Sequence, residues 1–126
     1  VAGFAEAAAA PPDLTAVLCV AREKDLHFPE RLYHKVPLVE GHAAPPERLA
    51  EAVAWLRDHA GRHRALVCSA TGDRRAPSVA VAYLCAVQGW GFARAAAHVA
   101  ERHPGTALLP GLEAAVAAVP AHLPQP

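Results

Sequence analysis

The segment "ALVCSATGDRRAPSVAVAYL", residues 65–84, constrains this chain more than any other. It runs from an apolar strand of the kind found in a covered parallel sheet, through a loop containing Gly and Arg, into an apolar helix. A strand that turns tightly into a helix aims backbone N–H groups and the helix dipole at one point, and an anion bound there meets unpaired donors and favourable partial charge. An arginine in the first helical turn adds a bidentate clamp. A cysteine ending the strand would be held as thiolate by the same field, its pKa falling from about 8.5 to roughly 3.5–7.5. Cys, five residues, then Arg is the spacing such chemistry needs, with the nucleophile at the loop's start and the clamp at its close. Two registers fit. One runs from Cys68 to Arg74 and the other from Ser69 to Arg75.

The rest of the chain predicts one α/β domain, a small and mostly parallel central sheet flanked by helices. "TAVLCVA" (15–21) and "RLYHKVPL" (31–38) read as strands, and "RALVCS" as a third. "AEAAAAPPDL" reads as a short helix stopped by Pro11 and Pro12. "PERLAEAVAWLRDHAG" is the clearest helix, with Pro46 at its start, Gly61 at its end, and Leu49, Val53, Leu56 and Ala60 on one face. "PSVAVAYLCAVQG", "FARAAAHVAERHPG" and "LPGLEAAVAAV" are three further helices, and residues 121–126 read as a loose tail.

Length and charge exclude several classes. A chain of 126 residues makes one domain with a real core. A formal net charge of zero provides no global field to recruit nucleic acid or an acidic membrane, so anion binding must be local. No apolar segment is long enough to span a bilayer. Three cysteines do not build a disulfide framework, which points to a reducing, intracellular and cytoplasmic setting. The chain opens at "VAGFAEAAAA" and contains no Met, which fits a processed or excised domain.

In the Ser69 register the segment resembles the signature of the dual-specificity branch of the protein tyrosine phosphatases, His-Cys-x-x-Gly-x-x-Arg followed by Ser or Ala. Gly72 falls on the signature Gly and Arg75 on the Arg, "APS" follows, and Tyr83-Leu84 falls where the family's helix carries "YL". "TAVLCVA" is similar to the family's "VLNVA" strand, and "FPERLYHKVPLVE" to the stretch entering the general-acid loop. "RAPSVAVAYLCAVQGW" with "LLPGLEAAV" is similar to plant and algal glucan phosphatases. The resemblance implies that part of the sheet precedes Val1.

The resemblance further implies hydrolysis of phosphomonoesters, on protein or glucan, through a phosphocysteine intermediate. It places Ser69 at the nucleophile position. Ala70, Thr71, Gly72, Asp73 and Arg74 form the phosphate-binding loop with Arg75 as clamp, and Glu40 is the general-acid candidate. A phosphate or sulfate ion would suit the loop, and neither metal nor other cofactor is required. The departures are Cys68 for the signature His, Asp73 inside an anion-binding loop, Arg74 for a small residue, Glu40 for Asp, and Ser69 for Cys. A serine hydroxyl is far less acidic than a thiol, so the chain with Ser69 is expected to be inactive. Two origins stay open, a substrate-trapping Cys→Ser substitution and a natural pseudophosphatase acting as a phosphate-binding scaffold. Cys68 as a displaced nucleophile clamped by Arg74 is a third reading.

Other residues carry less. His59 and His63 straddle Gly61 and have no third ligand in the sequence, so they do not read as a metal pair. His42 lies in the candidate acid loop. Trp55 and Trp90 read as core or half-buried aromatics rather than sugar platforms, and Cys19 and Cys85 as buried packing residues.

Overall fold

In a computed structural model, the described residues are 2–3, 16–21, 32–39, 41–59, 65–69 and 74–123. They form strands β1 (Ala2–Gly3), β2 (Ala16–Ala21), β3 (Leu32–Leu38) and β4 (Ala65–Ser69). The helices are α1 (Pro46–His59), α2 (Arg75–Ala86), α3 (Phe92–Arg102) and α4 (Leu112–Ala118), with a 3-10 turn at Val119–Ala121. The short helix expected before Pro11, Gly61 and Ala60 lie outside the described residues.

The strands pair in the order β1-β4-β2-β3, all parallel. β2 sits inside the sheet and is apolar on both faces, and each of its six residues is buried. That is the continuous hydrophobic run expected of a covered parallel strand. Alternation along the strands divides the interior in two. Leu18, Val20, Val36, Leu38 and Val67 join the main core with the helices, while Val17, Cys19, Ala21 and Cys68 form a second cluster with Tyr33 and Leu66 beside it.

The β2–β3 register slips between Cys19 and Ala21, which pair with Lys35 and Leu38. Pro37 lies inside the slipped stretch. Proline has no N–H to give a ladder, so it is tolerated on an edge strand and at a bulge.

α1 begins at Pro46, which needs no intrahelical partner there, and carries Glu47 in its first turn and Arg57 and His59 in its last, matching the helix dipole. Leu49, Val53 and Leu56 are buried on its inner face, as their spacing predicts. α2 starts two residues earlier than the sequence suggests, at Arg75 rather than Pro77. The first four N–H groups of a helix have no intrahelical acceptor, so Pro77 costs no hydrogen bond in the first turn. α2 ends at Ala86, and the chain turns back at Gly89 (φ 75°), where Trp90 N–H donates to the Leu84 carbonyl at 3.1 Å. α3 ends at Arg102 because His103 precedes Pro104 and is driven out of the helical region (φ −137°, ψ 80°). Leu123, beyond the 3-10 turn, packs against the main core.

Ser78 ties α2 to the segment before α4. It is fully buried, donates its hydroxyl to the Arg74 carbonyl at 2.6 Å, and accepts from the buried Leu109 N–H at 3.0 Å. Ser78→Ala strands the Leu109 donor, so unfolding free energy should fall by about 1–3 kcal/mol in urea titration. An unchanged midpoint would show that the contact contributes nothing.

Candidate functional site

β4 ends at Ser69 and α2 starts at Arg75, so the loop between them joins the C-terminal edge of the sheet to a helix N-terminus. In open α/β sheets ligands bind outside the carboxyl ends of the strands. Ser69 is 2% exposed. Because side chains alternate, it shares a face with Val67, the face carrying the main core and the helices. Cys68 points to the opposite face, into the second cluster. The two registers left open by the sequence therefore place their nucleophile candidates on opposite sides of the sheet.

Arg75 is the first residue of α2, yet its side chain is only 1% exposed. Its Nη1 donates to the Leu38 carbonyl at 3.0 Å, and its buried Nε donates to no acceptor among the described residues. Leu38 is the last residue of β3, and Glu40 and His42 follow it within four residues. One guanidinium thus links the start of α2 to the strand from which the candidate acid segment departs. Arg74, the residue before the helix, is exposed, and its carbonyl is taken by both the Ser78 N–H (3.0 Å) and hydroxyl (2.6 Å). Ala70, Thr71, Gly72, Asp73 and Glu40 lie outside the described residues.

Beside Leu38 an open groove of about 690 Å³ is lined by Pro37, Val39, His42, Ala43, Pro45 and Arg48. Its walls are polar and apolar in about equal share, with the His42 imidazole and the Arg48 guanidinium among the lining groups. Val39 is the exposed large hydrophobic residue of the described chain.

The thiols behave as a pair. Cys19 and Cys68 are register partners on β2 and β4, 0% and 1% exposed. A hydrogen bond from the Cys68 thiol draws Cys19 below the ordinary thiol range, against its burial. The same bond, together with burial, pushes Cys68 up, so its thiol stays neutral. Cys85, half-buried rather than fully buried as its apolar run suggested, is raised by burial alone. A neutral thiol on the far face of the sheet is a poor nucleophile for a helix N-terminus on the near face.

The remaining singled-out residues lie elsewhere. Trp55 stacks on His59 (centroids 4.5 Å apart) and on His34 (6.0 Å), His34 Nε2 meets Glu51 Oε2 at 2.9 Å, and His59 Nδ1 lies 2.7 Å from the Trp55 carbonyl. Trp90 lies under the Arg94 guanidinium (3.9 Å) and edge-on to His98. Among the described residues no group of His, Cys, Asp and Glu is placed to hold a metal ion. No described helix is long and apolar enough to cross a membrane.

Known structures share this arrangement of strands and helices. Human DUSP28 superposes on 94% of this chain and 85% of its own with a TM-score of 0.82 at 24% identity. Tk-PTP in its active form covers 88% of this chain and 81% of its own (TM-score 0.73, 19% identity). The chain has the dual-specificity phosphatase fold. A mouse protein described as a dual specificity phosphatase, complexed with zinc tungstate, aligns over 90% of this chain and 77% of its own (TM-score 0.74, 21% identity). No protein-family model matches the sequence, and no curated protein matches it. The likeness is therefore one of fold.

Within that dual-specificity phosphatase fold, sequence reasoning missed the burial of Arg75 and the pairing of Cys19 with Cys68. The second was visible in principle. "AVLC" (16–19) and "ALVC" (65–68) are near-copies, and parallel pairing in register sets their cysteines side by side.

The Arg75 guanidinium also contributes to stability. Arg75→Ala removes a buried charge-assisted bond to Leu38, and urea unfolding should show a loss of about 1.5–3 kcal/mol. A change below about 0.5 kcal/mol, the scale of ordinary surface substitutions, would mean that the bond to Leu38 does not hold the two elements together.

Proposed function

We propose that this chain is a phosphomonoester-binding domain of the dual-specificity phosphatase type, disarmed for hydrolysis by serine at the nucleophile's position. The observation that carries the reading is the placement of Ser69 and Arg75. Ser69 ends β4 on the helix side of the sheet, and six residues on, Arg75 opens α2 with its guanidinium buried against the end of β3. In this reading the amides of residues 70–74 cradle a tetrahedral oxyanion and Arg75 supplies its fixed positive charge. The mouse neighbour complexed with tungstate, an oxyanion of phosphate's shape, is consistent with that reading.

The chemistry follows from the residues. With a thiolate at position 69, attack on phosphorus would proceed while Arg75 and the loop amides hold the equatorial oxygens. Glu40 would protonate the leaving oxygen, and water would then cleave the phosphocysteine. A serine hydroxyl is not ionised at neutral pH, so the first step stalls while the binding contacts, which do not involve the nucleophile, persist. The Pro37–Arg48 groove next to Leu38 is where the part of the substrate beyond the phosphate would lie. Its openness fits a shallow site, accepting phosphate on a protein or a glucan.

Hydrolysis of p-nitrophenyl phosphate, with tungstate binding measured by calorimetry, tests this reading. The chain should bind tungstate without turnover. Ser69→Cys should raise turnover on the order of 10³-fold or more. Adding Arg75→Ala in that background should remove about 10²–10³-fold, the scale of losing a fixed transition-state donor. Activity gained through Ser69→Cys but insensitive to Arg75→Ala would discard the clamp. Absence of tungstate binding by the chain itself would discard the whole reading.

A further inference from the structure

From the pairing of β2 with β4 we infer that Cys19 and Cys68 form a built-in dithiol that a peroxide oxidises to a reversible intramolecular disulfide. The inference stands independently of the phosphate site. The two residues are direct register partners on adjacent parallel strands. Neighbouring strands lie about 4.7–4.9 Å apart, inside the roughly 4.4–6.8 Å between Cα atoms that a disulfide accepts. Both side chains leave the sheet on the same face and meet in one small cluster with Val17 and Ala21, so neither strand has to slide or turn over for the sulfurs to join.

The chemical environment favours the reaction. The Cys68 thiol donates a hydrogen bond toward the Cys19 sulfur, which makes Cys19 the readier thiolate and Cys68 the resolving thiol. The Cys19 sulfur attacks one peroxide oxygen, the O–O bond breaks, and sulfenic acid forms as hydroxide leaves. The Cys68 sulfur then attacks the sulfenic sulfur and the S–O bond breaks. The hydroxide so released takes up the Cys68 proton, the first hydroxide takes up the Cys19 proton, and two waters result. Two electrons pass from the thiols to hydrogen peroxide, and no further reductant or oxidant is needed.

Burial decides which oxidants act. At 0% and 1% exposure the pair is closed to glutathione-sized disulfides, while hydrogen peroxide is little larger than water. The resolving thiol is already in contact, so the sulfenic acid is captured before oxidation reaches the irreversible sulfinic state. Cys85, alone on α2, has no such partner in register.

The test uses the folded chain, graded hydrogen peroxide, and alkylation of the remaining thiols after denaturation, read by intact mass and peptide mapping. Two of the three thiols should disappear, with a mass loss of about 2 Da and a linked pair of peptides carrying Cys19 and Cys68. Dithiothreitol should restore all three. Cys85→Ser should leave the linkage unchanged, and oxidation in urea should show no preference for this pair. A folded chain that keeps all three thiols, links through Cys85, or accumulates sulfinic acid on Cys68 would overturn the inference. Because the linkage is mapped on the unsubstituted chain, the result does not depend on whether a variant folds.

Discussion

The bond from Arg75 to the Leu38 carbonyl ties together the two elements that frame the candidate site. It spans 37 positions of sequence and joins the first residue of a helix to the last residue of an edge strand. A buried guanidinium is expensive unless its donors are met, so the fold must bring an acceptor to it. The acceptor is a main-chain carbonyl, which side-chain mutation does not remove. The β3 bulge at Pro37 falls immediately before that carbonyl, so the irregularity and the anchor share one short stretch. An arginine held in this way is a preorganised charge. It is positioned by the sheet edge before any ligand arrives, which is the condition under which electrostatic binding is most effective.

Much of the fold was legible because local signals agreed. The β2 and β4 runs are short, apolar and rich in β-formers, and both are strands within a residue of the expected bounds. Pro46 and the Leu49, Val53, Leu56 spacing located α1. Helix starts were harder. Pro77 looked like a beginning because proline is common there, but the same lack of an N–H makes it equally acceptable two residues into the helix. The sequence ends this helix at Gly89, whereas the helix stops at Ala86 and Gly89, at φ 75°, belongs to the turn that follows.

The strand-to-helix turn from Ser69 to Arg75 was legible in the sequence. Its register was not decidable from spacing alone, since Cys68 and Arg74 fit the same count. What separates them is a three-dimensional property of strands. Successive residues face opposite sides, so a shift of one position moves a side chain through the sheet. Ser69 faces the helices and Cys68 faces the second cluster, a difference that follows from alternation once Val67 is known to be on the helix side. The burial of Arg75 was illegible for a related reason. Nothing in the residues around Arg75 signals its burial, because the Leu38 carbonyl it meets at 3.0 Å lies 37 positions earlier in the chain.

In the proposed reading, oxyanion binding and bond breaking rest on different parts of the site. Binding would draw on the fixed charge of Arg75, on loop amides and on the helix N-terminus. Hydrolysis additionally needs a nucleophile ionised at working pH. Oxygen in place of sulfur at position 69 would leave the first set intact, because the side chain would remain small and stay on the same face. The Cys68 thiol lies one residue before Ser69 and on the other face of the sheet, where burial and its hydrogen bond with Cys19 govern it. One position along a strand therefore decides whether a side chain faces the helix side of the sheet or the second cluster of the core.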